Sequence, residues 1–144
     1  MAIIEWAASP LSEPGATIEK EVIGGAARVK TFTCHSDADF SKEVLDARAL
    51  IVWHNTPITA EGIGRLRACR AIIRNGVGYD SVDIGAARDR GIPVCNVPDY
   101  GTEEVADHAM ALALALCRQL FPLDEEAKRL GWQLRIQDKL RRLR

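Results

Sequence analysis

The densest cluster of residues able to do chemistry is 75–80, Asn75-Gly76-Val77-Gly78-Tyr79-Asp80. Two glycines one residue apart let the backbone approach a ligand closely and adopt positive φ. Consecutive N–H groups can then face one way and form a concavity for an anion. A small carboxylate fits that description, and so does a glycine turn that holds nothing. The dinucleotide fingerprint GxGxxG needs its third glycine at position 81, which is Ser81, so the match fails. Among the histidines, His54 directly follows an apolar run and can donate to a substrate oxygen. His108 falls inside a long apolar helical pattern, where an interface or structural role fits better, and His35 lies in a polar stretch. Asp80 and Asp83 flank a helix start, where capping explains them without catalysis. Cys34, Cys69, Cys95 and Cys117 form no CxxC or CxxH pair, which argues against zinc and against a redox motif. There is no HExxH, no P-loop and no Ser-His-Asp order.

These residues make a site only if strands deliver them to one edge of a sheet. Short apolar runs predict strands at 2–6, 28–32, 49–53, 71–74 and 93–97, with Pro93 at a strand start where no ladder donor is lost. Helices are expected between them. One spans 17–23 and ends at Gly24-Gly25, after a loop carrying Pro10, Pro14 and Gly15. A second is capped by Ser41 and runs to 46. A third is capped by Thr59 and runs to 67, with Glu61 in its positive first turn. A fourth spans 83–90 and stops at Gly91. A long helix follows, capped by Thr102 and reaching about Leu120, with Glu103 and Glu104 in its first turn. The runs LIVW and AII are continuous rather than alternating, the pattern of strands covered on both faces. The expectation is an α/β, flavodoxin-like three-layer sandwich: a five-stranded parallel sheet, right-handed crossovers, order 2-1-3-4-5. Ligands of such sheets bind beyond the carboxyl ends of the strands. That edge collects 54–57, 75–80 and 99–102.

The chain of 144 residues is the size of one domain and too short for a complete two-domain dinucleotide enzyme. Hydrophobic residues at 47% and charged residues at 27% match a globular protein, and a net charge of −1 argues against a cationic nucleic-acid binder. The apolar run 109–117 is about half of the roughly 18 residues a membrane span needs. MAIIEW carries an acid in its apolar stretch and reads as a strand, not a signal peptide. A soluble, cytoplasmic protein with reduced thiols is expected. In the long helix, Met110 and Leu114 share one side while Leu112 and Leu116 share another. A helix apolar around most of its circumference needs cover on more than one side, from a second domain or subunit, or from burial in one core. Residues 128–144 form a basic stretch that reads as a solvated tail or linker.

The segment 71–118, AIIRNGVGYDSVDIGAARDRGIPVCNVPDYGTEEVADHAMALALALCR, resembles the NAD-dependent D-2-hydroxyacid dehydrogenases. That family includes phosphoglycerate dehydrogenases and the C-terminal-binding-protein corepressors. The specific pieces are GVGYDSVD, GIPVCNVP and TEEVADHAMALAL. Weaker similarity, chiefly ALIVWHNTPIT, extends towards the amino terminus. The resemblance implies a substrate-binding flavodoxin-like domain over 1–98, a hinge and interface helix over 99–121, and a basic linker over 122–144 towards an absent Rossmann domain. It implies a chain that stops where the first Rossmann strand would begin, as a truncated or separated piece. The family's GxGxxG, catalytic Arg, acidic partner and catalytic His do not occur. By this resemblance the chain therefore holds no catalytic residue, no cofactor site and no metal, NAD(P) being bound by the full-length enzymes. Val77 and Gly78 match the loop whose amides hold the substrate carboxylate. Asn55 and Thr56 match a loop lining the cleft, beside His54. Val97 and Pro98 match the hinge, and Thr102, Glu103 and Glu104 begin the interface helix. Ser81 departs from the family's frequent Asn. The implied function is that of a dehydrogenase fragment that positions a 2-hydroxy or 2-oxo acid, binds it weakly and is not catalytic alone. The implied partners are that acid, the missing Rossmann domain and a second copy joined through the 102–120 helix, with neither membrane nor nucleic acid. The competing expectation is a non-catalytic dimerising or regulatory module of the same fold.

Overall fold

The computed structural model describes residues 1–5, 16–53 and 56–130. Five short apolar segments become strands: β1 Ala2–Glu5, β2 Lys30–Thr33, β3 Leu50–Val52, β4 Ile72–Arg74 and β5 Val94–Asn96. Each is parallel to its neighbours, in the expected order β2-β1-β3-β4-β5. The connecting helices are α1 Thr17–Ile23, α2 Lys42–Leu45, α3 Ala60–Arg65 and α4 Ile84–Asp89, followed by α5 Thr102–Cys117 and α6 Leu120–Leu130.

Local chemistry sets the helix ends. Ser41 Oγ accepts from the Val44 amide, Thr59 Oγ1 from Gly62 and the Asp83 carboxylate from Ala86, so α2, α3 and α4 each start on a side-chain cap. Gly91, with φ of 66°, ends α4 where an L side chain would be strained. At the other end of α3, the Arg90 guanidinium donates to the carbonyls of Ile63 and Leu66. It thus adds to the Leu66 amide's bond to Ile63 O, gives Leu66 O a donor, and ties the end of α3 to the end of α4.

The backbone divides into two compact units, Met1–Tyr100 and Gly101–Arg144. The first holds the core. Ala2, Leu50, Ile72 and Val94 stand in one row across four strands. They pack with Val44 of α2, Ile63 of α3, Ala87 of α4, and with Cys34, Phe40, Ile58, Leu66, Val82 and Ile92. The next row points to the opposite face. Ile3 is buried there, but Ile51 and Ile73 are only half-buried and Cys95 is exposed. Within Met1–Tyr100, helices α2, α3 and α4 all place buried residues on the first of these faces.

In the second unit three expectations change. Gly101, not Thr102, is the N-cap of α5; Thr102 is its first helical residue and no side chain caps the end. The helix stops at Cys117 rather than Leu120, because Gln119 takes a left-handed φ of 52°. A second helix, α6, then occupies the start of the stretch read as a linker, with Pro122 in its first turn, where its missing N–H costs nothing. Lys128 and Asp124 pair one turn apart on it at 2.7 Å. No residue of α5 is buried, and Val105, Met110, Leu112, Leu114 and Leu116 are exposed. The rest of the basic stretch, 131–144, and the proline-bearing loop 6–15 lie outside the described residues.

Candidate functional site

The carboxyl edge of the sheet gathers the loop after β4. That loop is pinned from both sides. The Asn75 amide donates to Val52 O of β3 at 2.9 Å, and the Val97 amide, just past β5, donates to Gly76 O at 3.0 Å. Asn96 Nδ2 donates to Val77 O at 2.8 Å. Between these anchors the N–H groups of Val77 and Gly78 have no acceptor among the described residues, and both residues are exposed. Two backbone donors on a braced, solvent-facing loop are what a small anion needs.

The glycines reach this arrangement by a different route from the one their spacing suggested. Neither Gly76 nor Gly78 has positive φ. A Cβ at Gly76 would meet the far end of the Arg74 side chain, which would have to swing aside. At Gly78 an added methyl would meet Asp80 Oδ2 at 3.6 Å, an ordinary contact. Sequence reasoning passed over Arg74, although a cation closing an apolar strand directly before a glycine loop was a usable signal. Arg74 is half-buried, its Nη1 donates to Asn75 O at 2.7 Å, and no carboxylate pairs with it among the described residues. It is the register partner of Asn96 on β5 and of Val52 on β3. One strand spacing, roughly 5 Å, therefore separates the backbones that carry the guanidinium and the amide.

The loop after β3 contributes differently. His54 and Asn55 lie outside the described residues. Thr56 is fully buried and its hydroxyl donates to Cys34 O at 3.1 Å, so its side chain fastens the loop to the end of β2. Asp37 continues the fastening. Its amide donates to Pro57 O at 3.2 Å, and its Oδ2 accepts from both the amide and the hydroxyl of Thr59 at 2.6 Å. Gly62 faces that carboxylate at a distance that leaves no room for a Cβ. The loops after β3 and β4 also pair with each other. Ile58 N donates to Ser81 O at 2.8 Å and Asp83 N to Ile58 O at 2.9 Å, around an isolated parallel bridge between Ile58 and Val82. Ser81 Oγ is buried beside this bridge, with no hydrogen-bond partner among the described residues.

Among the described residues no strong nucleophile adjoins the site. Burial first, and the Asp39 carboxylate second, push the Cys34 thiol up from its ordinary value, so it stays protonated at neutral pH. Among the described residues no three His, Cys, Asp or Glu side chains are grouped to hold a metal, and no helix is long and apolar enough to cross a membrane. His108 is exposed on α5. A hollow of about 570 Å³ opens beside β5, lined by Tyr79, Ile84, Arg88, Ile92, Val94 and Asn96. Val77, Gly78 and Arg74 do not line it, but it shares Tyr79 and Asn96 with the glycine loop and its brace.

Residues 6–133 match the family model described as D-isomer specific 2-hydroxyacid dehydrogenase, catalytic domain. The chain is 34% identical over 126 residues to a D-3-phosphoglycerate dehydrogenase of Archaeoglobus fulgidus, covering 88% of this chain and 23% of that one. It is 32% identical over 123 residues to a D-3-phosphoglycerate dehydrogenase of Methanocaldococcus jannaschii, covering 85% and 23%. The chain thus spans less than a quarter of the length of these relatives. Among solved structures, its fold matches D-lactate dehydrogenase from Aquifex aeolicus, complexed with NAD and lactic acid, with a TM-score of 0.75 at 21% identity, covering 93% of this chain and 39% of that one. An acyclic imino acid reductase in complex with NADPH and D-Arg matches with a TM-score of 0.71 at 27% identity, covering 94% and 43%.

Proposed function

Because this chain belongs to the D-isomer specific 2-hydroxyacid dehydrogenase family, we propose that it is the acid-holding part of such an enzyme, fixing the carboxylate of a small 2-hydroxy or 2-oxo acid. The observation that carries this reading is the pair of N–H groups at Val77 and Gly78, without an acceptor among the described residues and braced between β3 and β5. A carboxylate that accepts from both gains two charge-assisted bonds without reorganising the loop. The Arg74 guanidinium, half-buried and without a carboxylate partner among the described residues, adds a positive field to the loop. Thr56 serves by holding the loop after β3 to Cys34, and the family resemblance assigns His54 and Asn55, outside the described residues, a substrate-contacting role.

The nicotinamide cofactor of the full-length family supplies the hydride chemistry. The residues described in this chain do not fit it. A dinucleotide pyrophosphate sits on a helix N-terminus directly after its glycine turn. Here α4 begins only at Ile84, and its first turn is already occupied by the Asp83 carboxylate, which would repel a phosphate. NAD(P) is accordingly assigned to a Rossmann domain outside these 144 residues, and the chain alone carries no oxidoreductase activity. With one cleft wall present, it binds the acid weakly, in the cytoplasm.

Amide-resolved NMR tests this. Titrating glyoxylate into the chain should shift the Val77 and Gly78 resonances with millimolar affinity, and Arg74→Ala should weaken that response about tenfold. Shifts confined to other loops, or none, overturn the reading. Joining a family Rossmann domain to the chain should create NADH-dependent reduction of 2-oxo acids, whereas NADH added to the chain alone should give no saturable binding.

A second role, pairing with another copy through the 102–120 segment, is favoured by the exposed Val105, Met110, Leu114 and Leu116. Sedimentation of the chain as a monomer at high concentration would count against it.

A further inference from the structure

We infer that the opposite edge of the sheet carries a binding site for a small phosphate-bearing polyanion. At the amino ends of the strands a hollow of about 720 Å³ opens over Phe32 and Ala47, with Arg28, Lys30, Lys42 and Arg48 around it. Glu43 and Asp46 also line it, but each is already engaged. Glu43 holds Lys30 at 2.6 Å, and Asp46 holds Arg67 at 2.7 Å. Arg28, Lys42 and Arg48 remain without a carboxylate partner among the described residues. Three cations around one concave surface repel each other until an anion sits between them.

The backbone holds these cations in place. The Met1 nitrogen donates to Arg28 O at 2.8 Å, and the Lys30 amide donates to Met1 O at 3.2 Å, fixing Arg28 beside the start of β1 on its β2 side. On its β3 side, Ala2 N donates to Ala49 O at 3.0 Å and Arg70 N to Arg48 O at 2.8 Å. The two arginines thus stand two strand spacings apart, roughly 10 Å, and long side chains from both can meet over β1. Lys42 opens α2, whose Val44 is fully buried, so the third cation also sits on an anchored element. Guanidinium forks match phosphate oxygens in pairs, and two of them with an ammonium suit a ligand of more than one phosphoryl charge. Phe32 and Ala47 offer an apolar floor for the body of such a ligand.

The site is at the other end of the strands from the Val77–Gly78 loop and does not depend on what that loop binds. Isothermal titration of the chain with sodium pyrophosphate at constant ionic strength provides the test, with sodium sulfate as the single-centre comparison. One saturable event is expected, tighter for pyrophosphate. It should weaken at least tenfold in the Arg28→Ala/Arg48→Ala double variant and stay within twofold in Arg88→Ala, whose cation lies on α4 outside the hollow. Circular dichroism melting checks that the double variant is folded. No saturable heat, an unchanged affinity in the double variant, or an equal loss in Arg88→Ala each overturns the site.

Discussion

The two faces of the sheet are made by alternate residues of the same strands, yet they end in different states. Leu50 and Ile72 have no exposed surface and contact three helices' worth of apolar side chains. Their immediate neighbours Ile51 and Ile73 are half-buried, and Cys95 at the end of that row is exposed. The chemistry of the two rows is almost the same. The difference lies in what covers them: α2, α3 and α4 all place buried residues against the first row. A continuous apolar strand says that both faces tolerate burial; only the packing partners decide which face receives it.

Truncations read this difference most directly. Leu50→Ala should cost about 2–5 kcal/mol, since a cavity would form where nothing can collapse into it. Ile73→Ala should cost well under half as much, because its side chain is only partly withdrawn from water. Denaturant midpoints at constant m-value would measure both, and equal losses would abolish the distinction between the faces. Removing the carboxylate of Asp37, which secures α3 over the closed face, comes next. Asp37→Ala should cost about 1–3 kcal/mol through the orphaned Thr59 donors, again read from denaturant midpoints.

The thiols sharpen the comparison at a smaller scale. Cys34 and Cys69 pack against the closed face, and burial is the first cause raising both pKa values above 9.0. The native state therefore keeps protons that the unfolded chain releases. Stability is intact below pH 9 and falls as pH rises through 9 towards the raised native values, visible in melting temperatures from pH 8 to 10.5. With a thiol-specific dye at pH 8, Cys95 and Cys117 should react rapidly, and Cys34 and Cys69 only as the protein opens. The smallest effect belongs to the open row: Cys95→Ser should move stability by no more than about 0.5 kcal/mol in the same denaturant assay.

Strand order and most helix starts were legible because the signals are local. A serine, threonine or aspartate before an amphipathic turn caps it, as at Ser41, Thr59 and Asp83. Gly91 ends α4 for the same kind of reason. The break after α5 was not legible, since Cys117-Arg118-Gln119 contains neither glycine nor proline and a left-handed glutamine leaves no mark in a sequence. The loop 75–80 was singled out for its glycines, but that the Arg74 side chain folds back against Gly76 shows only in the folded chain. Thr56 read as a cleft-lining polar residue; its bond to Cys34 joins positions far apart in the chain and exists only once β2 and the loop after β3 have met.

The bridge between Ile58 and Val82 makes one lever of two loops. A push on the segment after β4 reaches the segment after β3 through two backbone hydrogen bonds. A ligand docked on one side would therefore be felt on the other as displacement rather than as charge.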